Sequence, residues 1–599
     1  MEKDRHDCDG GKMKKISRHK GIIVFFAILI CLTFSCQKKA ERTFEISIDP
    51  ALEDTPVTGR LFLLLTDRSD IEPRLVMPFL GAYYFNAPRN SELGGYGLDY
   101  CPFYGKDVDS LESGQKETIG EDVLGHPFSS LRDIPEGEYY VQAVLHVYTQ
   151  VTPAHGHTIW LPLDNWEGQQ FHLSPGNLIS EPQKILVEDG APFQLDLKLT
   201  KKIPPIEPEA DSKYVKRIKI KSKLLSDFWG RDMFLGAHIL LPKGYDEHSE
   251  VHYPVLYYRG HFFEKQPFGF PDEEPKAPGE GAGQVDQARF QAAKYLWEGW
   301  LAKDTPRFIV VTLQHPTPFY DDSYVVNSPN QGPYDDAILT ELIGHVEANF
   351  RIIRKSYARV MTGGSTGGWI TAAQQIYHPD FFGGAWSFCP DWVDYRNVFG
   401  VDMYEDDNMF QPSGYRWLTP ERMSTRSVEG QPQLTVRQFS QFLAVLGNKG
   451  RSGEFIDAYN AAFGPVGEDG YPVQVYDYLT GEINHDMIEY WRDHNFDLRY
   501  YLENNWSELG HKLVGKLHFL CGDMDNFYLN LPVYLMEEFL ESTKDPYYGG
   551  SFRWGRPKVG HTVSGLGVDP WPFALLKEMA AHITTNAPLG EDTDQWKYE

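Results

Sequence analysis

Hydrophobic and polar residues follow two different patterns along the chain. Between residues 41 and 201, short apolar runs are separated by polar turn clusters, and residues 193–199 alternate strictly between apolar and polar. Strict alternation places one face of a strand against a core and the other toward water, so this stretch predicts β-strands. We expect a small β-sandwich, with strands at residues 44–48, 59–65, 138–145 and 193–199.

The pattern changes after residues 202–212, which contain three prolines and are typical of a semi-rigid linker. From residue 213 to 599, apolar runs alternate with amphipathic stretches, as in a mostly parallel sheet covered by helices. Residues 307–313 are apolar almost throughout, which indicates a strand buried on both faces. We therefore expect an α/β domain, interrupted at about residues 392–510 by a large insertion that is irregular, aromatic and acidic.

The first 36 residues have the pattern of an export signal. Basic residues precede the apolar residues 21–30, and Ser35 and Cys36 follow shortly afterwards. This end resembles a bacterial lipoprotein box, in which Cys36 is acylated and holds the protein at a membrane. The alternative is an uncleaved membrane anchor, although the apolar run is short for a spanning helix. Lys38 and Lys39 follow the cysteine and do not resemble the acidic run that directs a lipoprotein to the cell surface. We therefore expect a lipid-anchored envelope protein on the periplasmic side.

Size, charge and cysteines narrow the class of protein further. A chain of 599 residues is too long for one compact core, so we expect at least two domains. The net charge of -27 argues against nucleic acid as a partner. Cleavage before Cys36 would leave Cys101, Cys389 and Cys521, whose spacing gives no disulfide framework or zinc pattern. We interpret them as small buried residues, and we expect no metal or organic cofactor.

The most informative motif is a serine between glycines. Gly363 and Gly367 flank Ser365 in the arrangement G-x-S-x-G, after an apolar run and before a helical pattern. A strand, a strained serine turn and a helix expose the hydroxyl for nucleophilic attack. The turn also directs backbone N–H groups, including that of Thr366, toward a developing oxyanion.

An acid and a base follow the serine in the order that such a nucleophile needs. Asp523 and Asp525 leave the apolar run 516–521, and His561 follows a glycine after the last predicted strand. A carboxylate that orients a histidine, which in turn takes the serine proton, is the usual activating arrangement. Either aspartate fits on chain order alone. Asp391, just past the strand that follows the serine helix, is a further candidate acid.

These motifs together resemble the putative-esterase family of α/β-hydrolases, which includes feruloyl esterases, S-formylglutathione hydrolases and mycolyltransferases. The resemblance covers about residues 213–582. Residues 253–260 match the strand that leads into the family's oxyanion loop, although Arg259 stands where many members have His or Asp.

The resemblance implies roles for individual residues. It assigns Ser365 as nucleophile, Asp525 as acid and His561 as base. The backbone N–H groups of Thr366 and His261 would form the oxyanion hole. Asp523, directly after Gly522, is then the turn-capping aspartate.

Other residues are candidates for contact with a substrate, and each has a structural alternative. Asp321, Asp322 and Asn327 follow a buried strand and would bind a sugar hydroxyl or an amine, or else cap their loop. Trp369 and Trp392 would stack on an aromatic or sugar ring, or else pack in the core.

We expect a serine hydrolase that cleaves carboxylic esters through an acyl-enzyme. The expected substrate is a small-molecule or glycan-linked ester, with carbohydrate-linked and aromatic acyl esters as the classes considered. Two alternatives remain open: a non-catalytic glycan-binding module on a hydrolase fold, and a serine peptidase with the same triad.

Overall fold

The structure of the chain is a computed structural model, and it describes most of the 599 residues. The described ranges are residues 41–76, 101–162, 164–166, 168, 170–260, 265–279, 281–319, 322–412 and 420–598. The predicted signal segment with Cys36, the predicted oxyanion residue His261 and the candidate Asp321 lie outside these ranges. No helix in the described ranges is both long enough and apolar enough to cross a membrane.

The described residues between 42 and 202 form a sheet of nine strands. The strands are β1 (Arg42–Ile48), β2 (Val57–Thr66), β3 (Phe103–Leu111), β4 (Lys116–Ile119), β5 (Gly125–His126), β6 (Gly137–Val147), β9 (Leu178–Ser180), β10 (Gln183–Val187) and β11 (Phe193–Lys202), while β7 (Thr149–Val151) and β8 (Ile159–Leu161) make a separate hairpin. Along the sheet the order is β4-β1-β11-β9-β6-β2-β3-β5, with β10 on β6. The first and last strands, β1 and β11, lie side by side in parallel. The predicted strands are therefore present, and their arrangement as a two-sheet sandwich stays a prediction.

Strand β2 of the N-terminal sheet is buried on both of its faces. On one face of β2, Leu61, Leu63 and Leu65 pack in a core formed by residues of the N-terminal region. Phe62 and Leu64 alternate with them and belong to a second core, which is shared with the rest of the protein. Because successive side chains of a strand face opposite ways, a strand with two buried faces reads as a continuous apolar run.

The second sheet has eight strands and occupies the centre of the protein. The strands are β12 (Val215–Ser222), β13 (Met233–Leu240), β14 (Val255–Arg259), β15 (Ile309–Gln314), β18 (Arg359–Gly364), β19 (Gly384–Phe388), β22 (Leu517–Gly522) and β23 (Ser551–Gly555). Their order is β12-β13-β15-β14-β18-β19-β22-β23. β12, β13 and β15 pair antiparallel, and the remaining pairs are parallel. The carboxyl ends of the parallel strands therefore meet at one edge of the sheet.

Helices connect these strands and fill the segment between β19 and β22. The α-helices are Lys223–Trp229, Gln284–Leu301, Tyr334–Asp336, Gly344–Asn349, Thr366–Tyr377, Val436–Leu446, Phe455–Phe463, His485–Asp493, Leu498–Leu513, Asn530–Ser542 and Phe573–Asn586, and a π-helical turn, Ala337–Ile343, joins the third to the fourth. Short two-stranded pairs complete the chain: β16 (Asn327–Ser328) with β17 (Gly332–Pro333), and β20 (Met423–Arg426) with β21 (Pro432–Thr435). The mixed α/β class expected from the sequence is confirmed.

The segment between β19 and β22 packs against the N-terminal sheet through buried charges. Arg60 of β2 donates to the backbone oxygens of Ala444 and Val445 at 3.0 and 2.8 Å. It also pairs with Asp107 at 2.6 Å, and Arg451 reaches the other oxygen of that carboxylate at 2.7 Å. Both guanidinium groups are nearly buried. Residues 392–510 contain helices and one short two-stranded pair, but more than half of their described residues lie in turns and loops, and the segment contacts the N-terminal sheet.

Candidate active site

Ser365 stands on the turn between β18 and the helix Thr366–Tyr377. Its backbone is in the left-handed region, with φ 58° and ψ −123°, which costs a residue with a side chain free energy. Its N–H donates to the carbonyl oxygen of Phe388 at 3.0 Å, so the neighbouring strand β19 holds the strained turn in place. The serine therefore occupies the position that the G-x-S-x-G motif predicts, at the carboxyl edge of the central sheet.

The two flanking glycines are required by the packing of this turn. A Cβ atom on Gly367 would lie 2.1 Å from the backbone oxygen of Arg259, and one on Gly363 would lie 2.5 Å from the same oxygen. Such distances are far inside van der Waals contact, so any larger residue would push the helix away from β14. The small residues let strand and helix approach closely enough to form the turn.

Of the two backbone N–H groups predicted to form an oxyanion hole, that of Thr366 lies in the described part of the chain. Thr366 is the first residue of the helix, and the N–H groups of a first turn have no acceptor within their own helix. This N–H group lies beside the serine, at the positive end of the helix dipole.

Asp525 and His561, the predicted acid and base, lie in direct contact. Nδ1 of His561 lies 2.7 Å from Oδ2 of Asp525, and this carboxylate is fully buried. Oδ1 of Asp525 accepts the backbone N–H groups of Phe527 at 2.9 Å and Leu529 at 3.2 Å. One carboxylate oxygen is thus fixed by the backbone, and the other is directed at the histidine.

The acid and base shift each other's pKa in opposite directions. Burial by itself raises the pKa of Asp525, but the charge and hydrogen bond of His561 outweigh it, and the pKa lies below its usual value. Burial by itself lowers the pKa of His561, but the Asp525 carboxylate outweighs it, and the pKa lies well above its usual value. The pair therefore stabilises an imidazolium, which a general base becomes after it takes a proton.

Neighbouring loops hold this pair through residues that sequence reasoning missed. The side-chain oxygen of Asn526 accepts the backbone N–H of His561 at 2.8 Å, and its amide donates to the carbonyl of Arg426. Arg426 in turn donates through Nε to the backbone oxygen of Asp525 at 3.0 Å. Since Arg426 belongs to the β20–β21 pair, the segment between β19 and β22 helps to position the acid. No local motif marks these residues, because their role depends on how distant loops meet.

The Ser365 hydroxyl donates to Asp391. Oγ lies 3.2 Å from Oδ1 of Asp391, and within the described ranges no hydrogen bond joins it to His561. The other carboxylate oxygen accepts the hydroxyls of Thr366 at 3.0 Å and Tyr324 at 2.8 Å. The carboxylate that lies beside the Nδ1 atom of His561 is that of Asp525, at 2.7 Å. Asp391 instead contacts the serine itself, which sequence reasoning did not foresee.

Cys389 lies beside the predicted acid and base. Its Sγ, a carboxylate oxygen of Asp525 and a ring nitrogen of His561 lie within 4.8 Å of one another. Contact with the Cys521 thiol lowers the pKa of Cys389, burial raises it and contact with His561 lowers it, to about 6. Both cysteines are buried, as the sequence predicts. The position of Cys389 beside the base follows from strand register, since Phe388 lies opposite Leu520.

The other predicted substrate contacts take structural positions. Trp369 is fully buried and packs on Phe463, and Trp392 is 3% exposed and packs on Tyr459. Neither ring is available for stacking on a ligand, so for these tryptophans the core-packing alternative holds.

The polar candidates Asp322 and Asn327 also make hydrogen bonds within the protein. Asp322 is 1% exposed, and its Oδ1 accepts the backbone N–H of Tyr324 at 3.0 Å. Asn327 is exposed and accepts the backbone N–H of Asp336 at 3.2 Å. Both side chains therefore cap their own loops, and Asp321, the third predicted polar contact, is not described.

Comparison with known proteins finds solved structures that are only remotely similar to this chain. No family model and no curated protein matches the chain. Solved structures similar to it include a ferulic acid esterase, at 14% identity and a TM-score of 0.34, over 62% of this chain and 100% of that one. A fluorophosphonate-binding serine hydrolase of Staphylococcus aureus has 12% identity and a TM-score of 0.31, over 62% and 98%. An S-formylglutathione hydrolase of Agrobacterium tumefaciens has 13% identity and a TM-score of 0.31, over 63% and 97%. At these TM-scores the likenesses assign neither fold nor activity to this chain.

Proposed function

We propose that the protein is a serine hydrolase that cleaves carboxylic esters through an acyl-enzyme. Ser365 attacks the ester carbonyl, and His561 takes its proton and passes it to the departing alcohol. Asp525 orients the imidazole and stabilises the imidazolium. The N–H of Thr366, with that of His261, stabilises the oxyanion of each tetrahedral intermediate. Water then attacks the acyl-enzyme with the same base, which returns the serine.

The single observation that carries this proposal is the Ser365 turn together with the Asp525–His561 pair at one sheet edge. The serine has the strained φ of 58° that exposes a nucleophile after a central strand. The histidine is oriented at 2.7 Å by a buried carboxylate from the loop after β22. Segment 388–391 connects both parts, since Phe388 accepts the Ser365 N–H and Cys389 contacts the histidine. Apo hydrogen bonds between nucleophile and base are often unformed and tighten with substrate.

The two alternative functions differ from this proposal in how they would use Ser365, His561 and Asp525, or in the substrate. A glycan-binding module has no use for a strained serine or for a histidine held by a buried carboxylate. A serine peptidase would use the same three residues, and it differs in its substrate.

The wider fold proposal is an α/β-hydrolase domain at residues 213–599 with an insertion at 392–510, preceded by a β-rich domain at 41–201.

A substrate panel with one variant separates the three functions. We expect p-nitrophenyl esters of carboxylic acids to be hydrolysed and p-nitroanilide peptides to be hydrolysed far more slowly. Ser365→Ala should fold normally by circular dichroism and lose roughly 10³-fold or more in kcat. A folded Ser365→Ala protein with near-native turnover would exclude this serine as the nucleophile. No ester hydrolysis by the wild type would favour the binding module.

We also propose export and lipid attachment at Cys36, on the strength of the basic and apolar pattern before it. Anchoring would place an esterase at the periplasmic side of a bacterial envelope, beside carbohydrate-linked esters or esters of aromatic acids. Cells grown with labelled palmitate should yield a labelled mature protein, and Cys36→Ser should abolish the label. An unlabelled mature protein in the soluble fraction would contradict lipidation.

A further inference from the structure

Cys389 and Cys521 are far apart in the chain but lie side by side at the carboxyl edge of the central sheet. The parallel pairing of β19 with β22 places Phe388 opposite Leu520, and the two cysteines are the next residues along the chain. The backbone N–H of Cys389 donates to the carbonyl oxygen of Leu520 at 2.8 Å, so the pairing continues to this position. The two thiols are in hydrogen-bonding contact with each other.

The spacing of neighbouring strands suits a disulfide between these two positions. Strands of a sheet lie about 4.8 Å apart, and the Cα atoms of a disulfide are usually separated by about 4.4–6.8 Å. Both thiols are free in the structure and buried, at 2% and 1% exposed. A bond between their sulfur atoms would join the segment that leads to Asp391 to the segment that leads to Asp525.

The surroundings of the two thiols give them different chemical roles. Contacts with the Cys521 thiol and with His561 lower the pKa of Cys389 to about 6, although burial acts in the opposite direction. Burial and the neighbouring Cys389 raise the pKa of Cys521. Because the thiolate is the reactive form of cysteine, Cys389 is the thiol that reacts first with an oxidant. Cys521 lies beside it in the position of a resolving thiol.

We propose that Cys389 and Cys521 form a reversible disulfide on exposure to hydrogen peroxide, and that this cross-link slows the reaction at the neighbouring Ser365. The effect on the reaction rests on the proposed ester hydrolysis, whereas the formation of the disulfide does not. Peroxide is a small molecule, and the side chain of His561 is 17% exposed. A route from solvent therefore leads to the imidazole that Cys389 contacts.

The chemical steps balance with peroxide as the oxidant. The Cys389 thiolate attacks one peroxide oxygen and the O–O bond breaks, which gives a sulfenic acid and a hydroxide that takes up the proton released by the thiol. The Cys521 sulfur then attacks the sulfenic sulfur, the S–O bond breaks, and the hydroxyl leaves as water with the Cys521 proton. Two thiols are oxidised and one peroxide is reduced to two waters. Dithiothreitol restores both thiols by exchange and becomes a disulfide itself.

The disulfide would change the surroundings of both the base and the nucleophile. The two sulfur atoms must move from hydrogen-bonding distance to bonding distance, and the Cys389 sulfur lies beside His561. Cys389 also directly follows Phe388, whose carbonyl accepts the Ser365 N–H, and lies two residues before Asp391, which accepts the Ser365 hydroxyl. A displacement of Cys389 therefore reaches the imidazole and the serine turn together.

Peptide mapping of the oxidised protein tests the disulfide directly. The purified protein is treated with hydrogen peroxide, denatured in iodoacetamide without reductant, digested and analysed by mass spectrometry. We expect a species that joins the peptides of Cys389 and Cys521, lighter by two hydrogen atoms than their sum, and its disappearance after dithiothreitol. Absence of this species, or Cys389 recovered as a sulfinic acid beside an alkylated Cys521, would overturn the proposal.

Ester kinetics with two variants test the effect on the site. Peroxide should lower kcat of the wild type on p-nitrophenyl esters by about 10-fold, and dithiothreitol should restore it, because small displacements of catalytic groups slow a reaction strongly. In Cys521→Ser the Cys389 sulfenic acid has no resolving thiol, so further oxidation to sulfinic acid should make the loss irreversible. Cys101→Ser is the matched control, because it removes a buried cysteine that precedes β3, and it should respond as the wild type does.

The outcomes separate this inference from the proposed function. Mass alone identifies the cross-linked peptide, so the disulfide is tested even in a protein that hydrolyses no ester. Hydrolysis that persists in Ser365→Ala would remove the proposed function and leave the disulfide standing. A disulfide that forms without any change in the rate on esters would overturn its effect on the site. Mapping of the wild type decides whether the disulfide forms even if Cys521→Ser fails to fold.

Discussion

At the residue scale, the proposed chemistry depends on which aspartate serves the histidine. Asp525 reaches His561 with Oδ2, whereas Oδ1 of Asp523 accepts the backbone N–H of Val559 at 3.2 Å. The carboxylate of Asp525 therefore contacts the imidazole, whereas that of Asp523 stabilises the loop that leads to His561. The two residues are chemically identical and two positions apart, so they provide a matched pair of variants.

Amide substitutions should separate these two roles. We expect Asp525→Asn to fold with little change in Tm and to lose about 10⁴-fold in kcat, because the amide permits the wrong imidazole tautomer. We expect Asp523→Asn to keep most activity and to lose about 1 kcal/mol of unfolding free energy with its hydrogen bond. Ester kinetics and urea unfolding of both purified variants check this. The reverse pattern would transfer the acid role to Asp523.

The pH dependence of activity should report the shifted pKa of His561. The imidazole accepts the serine proton only when it is neutral, and the Asp525 charge holds its pKa well above the usual value. We therefore expect kcat/KM to rise with pH through an inflection above about 6.5, the ordinary histidine pKa. Asp525→Asn removes the charge and should move the inflection to lower pH. An inflection below 6.5 in the wild type, unmoved in the variant, would contradict this coupling.

At the element scale, the strand pattern correctly predicted the strands after which the candidate site residues lie. Ser365, Asp525 and His561 each stand in a short loop after a strand of the central sheet, so strand pattern and motif together located them. Asp391 and Cys389 were noticed in the sequence, but their contacts with the serine and the histidine were not. Those contacts depend on the register of β19 against β18 and β22, which no local pattern encodes.

For the N-terminal sheet, too, the sequence predicted the strands but not their long-range contacts. Alternation predicted its strands, for example the one now seen as β11, but not the parallel pairing of β11 with β1 across about 150 residues of chain. Nor did it predict that Phe62 and Leu64 of β2 would join the core of the central sheet. A continuous apolar run shows that both faces of a strand are buried, but not which distant element covers the second face.

The contact between the N-terminal sheet and the segment after β19 should contribute to stability through Arg60. We expect Arg60→Met to lower the free energy of unfolding by about 2–4 kcal/mol, because buried backbone oxygens of Ala444 and Val445 lose their donor. Arg68→Met, two residues after the end of β2, is the control, since the side chains of the Arg68–Asp70 pair are 44% and 67% exposed. Denaturant unfolding of both variants measures the difference. An equal, small effect would mean that this contact does not stabilise the fold.

At the scale of the whole molecule, the two sheets and the helices between them share one contiguous hydrophobic core. The proposed acid is fixed by Arg426, which belongs to the segment that also packs on the N-terminal sheet. A residue about 100 positions away in the chain therefore holds the backbone of the candidate acid in place. This explains how residues far from the G-x-S-x-G turn contribute to a site that the motif alone suggests.

The most direct test of the central claim, that Ser365 is an activated nucleophile, is covalent labelling with a fluorophosphonate. The serine oxygen displaces fluoride from phosphorus while His561 takes the proton, so the reaction needs the nucleophile and base together. Digestion and mass spectrometry should find the phosphonate on the peptide that contains Ser365. The label should be absent from Ser365→Ala and much slower to form in His561→Ala. A wild-type protein that hydrolyses esters but is labelled at another residue, or not at all, would contradict the claim.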